Sequence, residues 1–225
     1  MKHLNIKAWL SLAVLDVVLG LLLFVPAGSI DYWQAWVYLI VFSVCAGAIT
    51  LYLMRFDPAL LERRMRGGPT AEKEPSQRII MSIVSVAYVA LFVVSGLDRR
   101  FGWSVVPLSA VIGGNALVVA GFVIEFLVFK ENSFTSATIE VDQGQTVIST
   151  GPYAVVRHPM YSGGLLLLLG TPPALGSWWA FLAFIPIALG VIWRLLDEER
   201  FLARNLPGYS EYREKVRSRL IPGVV

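Results

Sequence analysis

Several side chains with useful chemistry fall close together in GPYAVVRHPMYSGG, residues 151–164. Arg157 and His158 stand directly before Pro159, and Tyr161 follows two residues later. Pro159 suits the first turn of a helix, and it biases His158 towards an extended backbone. The pattern therefore predicts a helix that begins at Pro159, with His158 in front of its N-terminus. The exposed backbone N–H groups there would attract a carboxylate or a phosphate.

A second group of charged residues lies where the last apolar region ends, in WRLLDEER, residues 193–200. Arg194 and Glu198 are four residues apart, so they share one face of a helix. Together they could bind both ends of a zwitterion, or hold an anionic substrate beside a cationic ligand. Taken alone, each group also fits a simpler interpretation. Arg157 and His158 would then be interfacial anchors, and the acidic residues would belong to an ordinary salt-bridged helix exit.

The elements that must position these residues are apolar helices. The chain has 225 residues, of which 56% are hydrophobic, whereas soluble domains have about 45–50%. The excess falls into long blocks near the ~20 residues that a bilayer core requires, a pattern typical of a helical membrane protein. The blocks are 8–25, 35–54, 79–97, 104–128 and 161–193.

The fifth block is long for one span and short for two. TPPALGS, residues 171–177, interrupts it with prolines and a glycine that favour a turn. We therefore predict an all-α integral membrane protein of about five to six transmembrane helices, the last two forming a tight helical hairpin. The polar segment 129–160 predicts a short extended excursion at the membrane face.

The distribution of basic residues predicts the orientation in the membrane. If the N-terminus faces the cytoplasm, seventeen of the nineteen Lys and Arg residues lie on the cytoplasmic side. Only Arg99 and Arg100 then lie on the other side. The positive-inside rule thus predicts cytoplasmic termini and a cytoplasmic position for the Arg157–His158 segment. The Arg-rich stretch 62–66 is interpreted mainly as a topology signal that could also contact anionic lipid heads.

Composition excludes several classes of site. Cys45 is the single cysteine and His3 and His158 are the two histidines, which excludes an internal disulfide and a Cys- or multi-His metal site. No metal is therefore expected. The net charge of +3 comes without a basic stripe, so no nucleic-acid partner is expected. The block 8–25 lacks a small-residue cleavage site and is interpreted as a retained span.

A few isolated residues inside the apolar blocks are also candidates. Glu125 and Asp16 are carboxylates within predicted spans, where such groups are costly and often functional; helix contacts or snorkelling are the alternatives. Gly113 and Gly114 are expected to permit close helix contact. Gly163 and Gly164 would let a backbone or a ligand approach.

The two groups of residues, in this order, resemble a known family. GPYAVVRHPMYSG, an apolar hairpin, R-x-x-x-EE, PGYSEY and RLIPG are similar to motifs of the isoprenylcysteine carboxyl methyltransferase and phospholipid methyltransferase superfamily. The resemblance covers about residues 130–225, whereas the first four spans match only as generic spans. It implies a helical membrane fold that binds S-adenosylmethionine in a cytoplasm-facing pocket of the C-terminal half, and releases S-adenosylhomocysteine.

The resemblance also implies residue roles and a division of the chain. Residues 1–128 would be N-terminal transmembrane helices, and 129–225 the cofactor-binding catalytic region. Arg194 would bind the acceptor and take part in catalysis, with Glu199 as the candidate base if the acceptor needs one. Gln145 stands where isoprenylcysteine enzymes carry a His, which bears on the substrate. The implied cofactor-binding residues are Thr138, Gln145, Thr146, Val147, Ile148, Tyr153, His158, Pro159, Met160, Tyr161 and Glu198.

The residues themselves agree with this cofactor. The helix start near His158 suits a carboxylate, Glu198 or Glu199 suits an ammonium group, and Tyr153 or Tyr161 could stack on adenine or face the sulfonium. Methyl transfer to a carboxylate needs little acid–base help, so positioning and desolvation can supply much of the rate.

We therefore predict methyl transfer to a membrane-embedded amphiphile, foremost an isoprenoid or lipid carboxylate that enters from the bilayer. A phospholipid amine or a small thiol is the alternative acceptor, and either would need a base. A membrane reductase that uses NADPH and a non-enzymatic transporter or scaffold are the rival classes. The reductases usually carry more spans, and a scaffold would leave both motifs unexplained.

Overall fold

The described part of the protein is helical. The computed structural model describes residues 2–65, 75–135 and 144–224, in which there are eight α-helices, one short 3₁₀ helix and no strand. The predicted all-α class is thereby confirmed. The helices are α1 Lys2–Ala27, α2 Trp33–Phe56, α3 Pro58–Arg64, α4 Pro75–Phe101, α5 Leu108–Glu131, α6 Pro159–Ala174, α7 Phe181–Asn205 and α8 Tyr209–Lys215, with the 3₁₀ helix at Gly151–Ala154.

Four of these helices are long and apolar enough to cross a membrane. They are α1, α2, α4 and α5, with 24 or 25 residues in each candidate span, and no other helix of the described residues meets both criteria. Their large side chains are widely exposed, for example Leu10, Val86 and Ile112. Lipid would cover these surfaces, so the chain is a multi-pass membrane protein. Helices α1, α2 and α4 each contain a predicted apolar block, and α5 begins inside the block 104–128.

The predicted hairpin is formed by α6 and α7, but its turn lies later than expected. We predicted a turn over 171–177, whereas α6 continues through Pro172 and Pro173 to Ala174. Both prolines sit in the last turn of the helix, and the chain reverses at Leu175–Ala180, where Gly176 has φ +72°. The helix ends there in a glycine C-cap: Gly176 adopts the left-handed conformation, and the Ser177 N–H donates to the Pro172 oxygen at 3.0 Å. With 16 residues, α6 is about 24 Å long at 1.5 Å per residue, so its full passage across the bilayer stays a prediction.

Helices α5 and α6 pack backbone to backbone through glycines. A Cβ atom added at Gly114 would lie 2.4 Å from the Ala174 nitrogen, and one at Gly121 would lie 2.6 Å from the Gly163 oxygen. The prediction of close contact at Gly114 is thus confirmed, whereas that at Gly113 is wrong, because a Cβ there would meet nothing within 4 Å. This contact fixes the start of α6 beside α5.

Helix α3 was not predicted as an element. The Asp57 carboxylate accepts a hydrogen bond of 2.9 Å from the Leu60 backbone N–H, and Pro58 occupies the first turn, so the N-terminus is capped. Leu60 and Leu61 are buried in a small core with Phe129 of α5. This packing holds the end of α3 against the C-terminal end of α5.

Candidate active site

His158 lies where the sequence predicted, directly in front of a helix. It is the N-cap residue of α6, and Pro159 is in the first turn. Arg157 and His158 form a corner in front of α6, and the C-terminal tail runs alongside it. Ser218 O accepts the Arg157 N–H at 2.9 Å, and Arg219 O accepts the His158 N–H at 3.0 Å. Two backbone groups of the corner therefore depend on the tail for their hydrogen bonds.

Glu199 joins the corner to α7 and to the tail. Its carboxylate accepts hydrogen bonds from Arg157 Nε at 2.7 Å and Arg219 Nε at 3.1 Å, and it lies 3.3 Å from His158 Nε2. Burial raises the pKa of the Glu199 carboxyl, but the hydrogen bonds with His158, Arg157 and Arg219 outweigh burial and hold the pKa well below its usual range. The Glu199 carboxyl therefore stays ionised, and its oxygens stay in contact with these three side chains.

Arg157 also connects the corner to α7 and to the C-terminal tail. Its Nη1 donates to the backbone oxygens of Val216, at 2.8 Å, and Arg217, at 2.6 Å. With its Nε on Glu199, the buried guanidinium ties the corner to both α7 and the tail. Arg157 is thus anchored inside the protein and is not the interfacial anchor of the simpler interpretation.

Arg194 and Glu198 meet at Tyr161. The Tyr161 hydroxyl donates to Glu198 Oε2 and accepts from Arg194 Nε at 3.1 Å. Arg194 Nη1 donates to Gln77 Oε1 at 3.1 Å, and Gln77 in turn donates to Asp197 Oδ2 at 2.9 Å. Both Gln77 and Arg194 are buried. The i, i+4 pair is therefore held in one orientation by α4 and α6.

These elements enclose a cavity of about 570 Å³. This lies within the ~300–1,000 Å³ of small-molecule sites. Arg194 is part of its wall, and so are ten of the eleven residues expected to bind the cofactor. Those ten are Gln145, Thr146, Val147, Ile148, Tyr153, His158, Pro159, Met160, Tyr161 and Glu198. Thr138 lies outside the described residues, and the roles of the others stay predictions.

Glu199 is the predicted site residue that the cavity wall does not include. We expected it as a candidate base. Its oxygens instead face Arg157, His158 and Arg219. A carboxylate with a lowered pKa that contacts two guanidinium groups and a histidine is a poor proton acceptor, so the geometry favours a positioning role for Glu199.

One end of the cavity is lined by tyrosines. Tyr153 accepts a hydrogen bond from Asn132 Nδ2 at 3.0 Å, and its backbone oxygen accepts one from the Tyr212 hydroxyl at 2.7 Å. Tyr209 is also in the wall. Its hydroxyl is buried and lacks a hydrogen-bond partner among the described residues. A buried hydroxyl in this state is costly, and a polar group of a ligand could satisfy it.

Sequence reasoning missed the N-terminal side of the cavity. Arg64 of α3 and Met81, Val84 and Tyr88 of α4 line it. Glu125 of α5, a candidate from the sequence, is in the same wall. The Asp-Pro start of DPALLERR was a local signal for α3, but no local signal relates Arg64 to a motif about a hundred residues later. Asp16, the other carboxylate in a span, is not in the cavity wall.

Comparison with known proteins addresses the region that holds this cavity. Residues 109–207 match the family model described as phospholipid methyltransferase. That range begins in α5 and contains the His158 corner, Arg194 and Glu198. This region is thus similar to the superfamily of phospholipid and isoprenylcysteine methyltransferases. The NADPH-dependent reductase is not favoured.

Curated proteins that are similar to this chain agree in part with that match. A probable protein-S-isoprenylcysteine O-methyltransferase of Oryza sativa, in both subspecies indica and japonica, is 34% identical over 116 residues, which are 48% of this chain and 59% of the rice protein. The cobalt-zinc-cadmium resistance protein CzcN of Cupriavidus metallidurans is 29% identical over 133 residues, 57% of this chain and 56% of that protein. The chain thus spans somewhat more than half the length of the curated relatives it matches.

Proposed function

We propose that this protein transfers a methyl group from S-adenosylmethionine to an amphiphilic acceptor that enters the cavity from the bilayer, foremost an isoprenoid or lipid carboxylate. One observation carries the proposal: the two motifs that are far apart in the sequence line one cavity and meet at Tyr161. The match of residues 109–207 to the phospholipid methyltransferase family model supports the reaction class.

The residues of the cavity fit the chemical groups of this cofactor. Glu198 offers a carboxylate to the ammonium group, and the start of α6 at His158 offers backbone N–H groups to the carboxylate. Tyr209 offers a buried hydroxyl that has no partner among the described residues, and Tyr153 offers an aromatic face beside it. When bound, the sulfonium supplies an electrophilic methyl carbon.

The contribution of the protein is positioning and exclusion of water. Arg194 is held by Tyr161 and Gln77, so its guanidinium can orient an acceptor carboxylate with little loss of entropy on binding. An ionised carboxylate needs no base. Glu199 then acts by fixing Arg157 and the tail, and Arg157 in turn fixes the corner in front of α6.

We further propose that the cavity and both termini face the cytoplasm. The support is the distribution of Lys and Arg, with Arg99 and Arg100 at the opposite end of α4 from Gln77 and the cavity. S-adenosylmethionine, which is water-soluble, would then reach the cavity from the cytoplasm.

The test is calorimetric titration of purified protein with S-adenosylhomocysteine and, in parallel, NADPH. We expect saturable binding of S-adenosylhomocysteine only, at least tenfold weaker in Glu198→Ala. The matched control is Glu211→Ala, which removes an exposed carboxylate of α8 outside the cavity and should bind normally. Binding of NADPH alone, or no binding by folded protein, would refute the proposed function.

A further inference from the structure

Arg64 lies on the cavity wall although it is outside the region that matches the methyltransferase family. Its guanidinium carbon is 5.3 Å from the centroid of the Phe129 ring, a cation–π distance. Phe129 is buried and belongs to the core that also holds Leu60 and Leu61 of α3. The position of Arg64 is therefore fixed by packing on both sides.

Glu125 is on the same face of α5. Glu125 and Phe129 are four residues apart, so they are neighbours on the helix surface. Burial lowers the pKa of Arg64, and Glu125 opposes this shift as the next largest influence. Gly164 of α6 lies beside the Glu125 carboxylate: a Cβ added there would be 3.6 Å from Glu125 Oε1, an ordinary van der Waals contact. Arg64 and Glu125 are both part of the cavity wall.

The charges of the described cavity wall point to the acceptor. Arg157 is in this wall, but its Nε donates to Glu199. Arg64 and Arg194 are in the same wall, and a guanidinium binds a carboxylate through charge-assisted hydrogen bonds that are often bidentate. A neutral amine offers no anionic oxygen to either group.

We propose that Arg64 is the second guanidinium of the acceptor site, which together with Arg194 binds the carboxylate that is methylated, and that Glu125 orients Arg64. This inference rests on the proposed function and narrows its acceptor to a lipid-like monocarboxylate. A carboxylate has about four lone-pair positions, so one hydrogen bond from each guanidinium leaves about two, either of which can attack.

The chemical step balances without a proton transfer. A lone pair of the acceptor carboxylate forms the new oxygen–carbon bond while the carbon–sulfur bond of the donor breaks and its electron pair stays on sulfur. The products are a neutral methyl ester and a neutral thioether. The ester has lost the charge that Arg64 and Arg194 attract, so its affinity falls and it can leave into the bilayer.

The test compares matched ligands that differ only in the head group. The probes are N-acetyl-S-farnesylcysteine and palmitate, each as the free carboxylate, the primary amide and the methyl ester. They are titrated into protein in lipid nanodiscs with S-adenosylhomocysteine present. We expect the wild type to bind at least one free carboxylate tenfold or more tightly than its amide and its ester.

The variants assign this preference to Arg64. Arg64→Gln should weaken carboxylate binding at least tenfold and leave amide binding unchanged. Arg64→Lys, which keeps the charge but loses the planar fork, should fall between the wild type and Arg64→Gln. The control is Arg55→Gln, which removes an exposed guanidinium at the end of α2 and should behave as wild type. Unaltered affinity for S-adenosylhomocysteine reports that each variant is folded.

Three results would overturn the inference. One is a carboxylate preference that survives in both Arg64 variants. Another is equal binding of carboxylate and amide by the wild type, and the third is binding of no probe while S-adenosylhomocysteine still binds. In each case the proposed function stands and only the acceptor assignment fails. Failure of folded wild type to bind S-adenosylhomocysteine would instead refute the function itself.

Discussion

At the scale of single residues, Tyr161 is the point at which cofactor and acceptor groups meet. Its hydroxyl joins Glu198, expected to bind the cofactor, to Arg194, expected to bind the acceptor. Its ring stacks on His158, with centroids 5.8 Å apart. The two motifs were predictable because each is local in sequence, but their meeting at one hydroxyl depends on the packing of α6 against α7.

Tyr161→Phe isolates the contribution of that hydroxyl. The variant keeps the ring stack but removes one charge-assisted hydrogen bond to each partner. At about 1.5–3 kcal/mol for hydrogen bonds to charged groups, we expect S-adenosylhomocysteine affinity to fall roughly tenfold or more, and the KM for acceptor to rise. Titration and initial-rate kinetics measure both. Unchanged values for both would show that Arg194 and Glu198 are oriented without Tyr161.

At the scale of elements, the contact of α5 with α6 fixes the start of α6, which carries Tyr161. The sequence contained the glycines, but it could not tell Gly113 from Gly114, because the rotation of α5 about its axis is set by the partner helix. The turn after α6 was predicted too early for a related reason. A helix can include a proline pair in its last turn as readily as end before it, and the sequence alone does not distinguish the two.

The matched glycines make this contact testable. Gly114→Ala would force a Cβ against the Ala174 backbone, and overpacking of this kind costs about 1–3 kcal/mol or more. Gly113→Ala meets open space and should be neutral or slightly stabilising, by up to about 1 kcal/mol. Thermal unfolding in one detergent compares them. Equal midpoints for the two variants would contradict the packing described.

The C-terminal tail is the second element on which the site depends. Removing residues 216–225 takes away the carbonyl oxygens that bind Arg157 and His158. We expect the truncated protein to keep its helical content by circular dichroism but to lose most S-adenosylhomocysteine binding. Removing only 222–225, beyond those contacts, is the control. Equal binding by both truncations would mean that the corner holds itself in place.

At the scale of the whole molecule, the cavity is built from both halves of the chain. The motifs of the C-terminal half predicted the cofactor wall, whereas α3 and α4 supply Arg64, Gln77 and Tyr88 over long sequence separations. Spacing within one motif cannot encode such contacts. The division into a transmembrane half and a cofactor-binding half therefore remains a prediction, with the cavity wall drawing on each.

The orientation of the protein in the membrane is also a prediction about the whole molecule. In a Cys45→Ser background, His3→Cys and Ser210→Cys should react with a membrane-impermeant maleimide only from the cytoplasmic side. Arg100→Cys should react only from the opposite side. Labelling of sealed membrane vesicles of both orientations measures this. If His3→Cys and Arg100→Cys reacted from the same side, the number of spans between these two residues would not be odd. The proposed cytoplasmic position of the cavity would then be wrong.

The most direct test of the account is the chemical nature of the methylated product. Membranes that contain the wild type, Arg194→Ala or no enzyme are incubated with S-adenosylmethionine labelled in its methyl group, and the lipid fraction is treated with alkali. We predict that the wild type alone forms labelled lipid and that alkali releases the label as volatile methanol, because a carboxylate has become a methyl ester. Label that resists alkali would indicate a methylated amine or thiol and contradict the carboxylate acceptor, and no labelled product in any lipid extract would contradict methyl transfer to a membrane amphiphile.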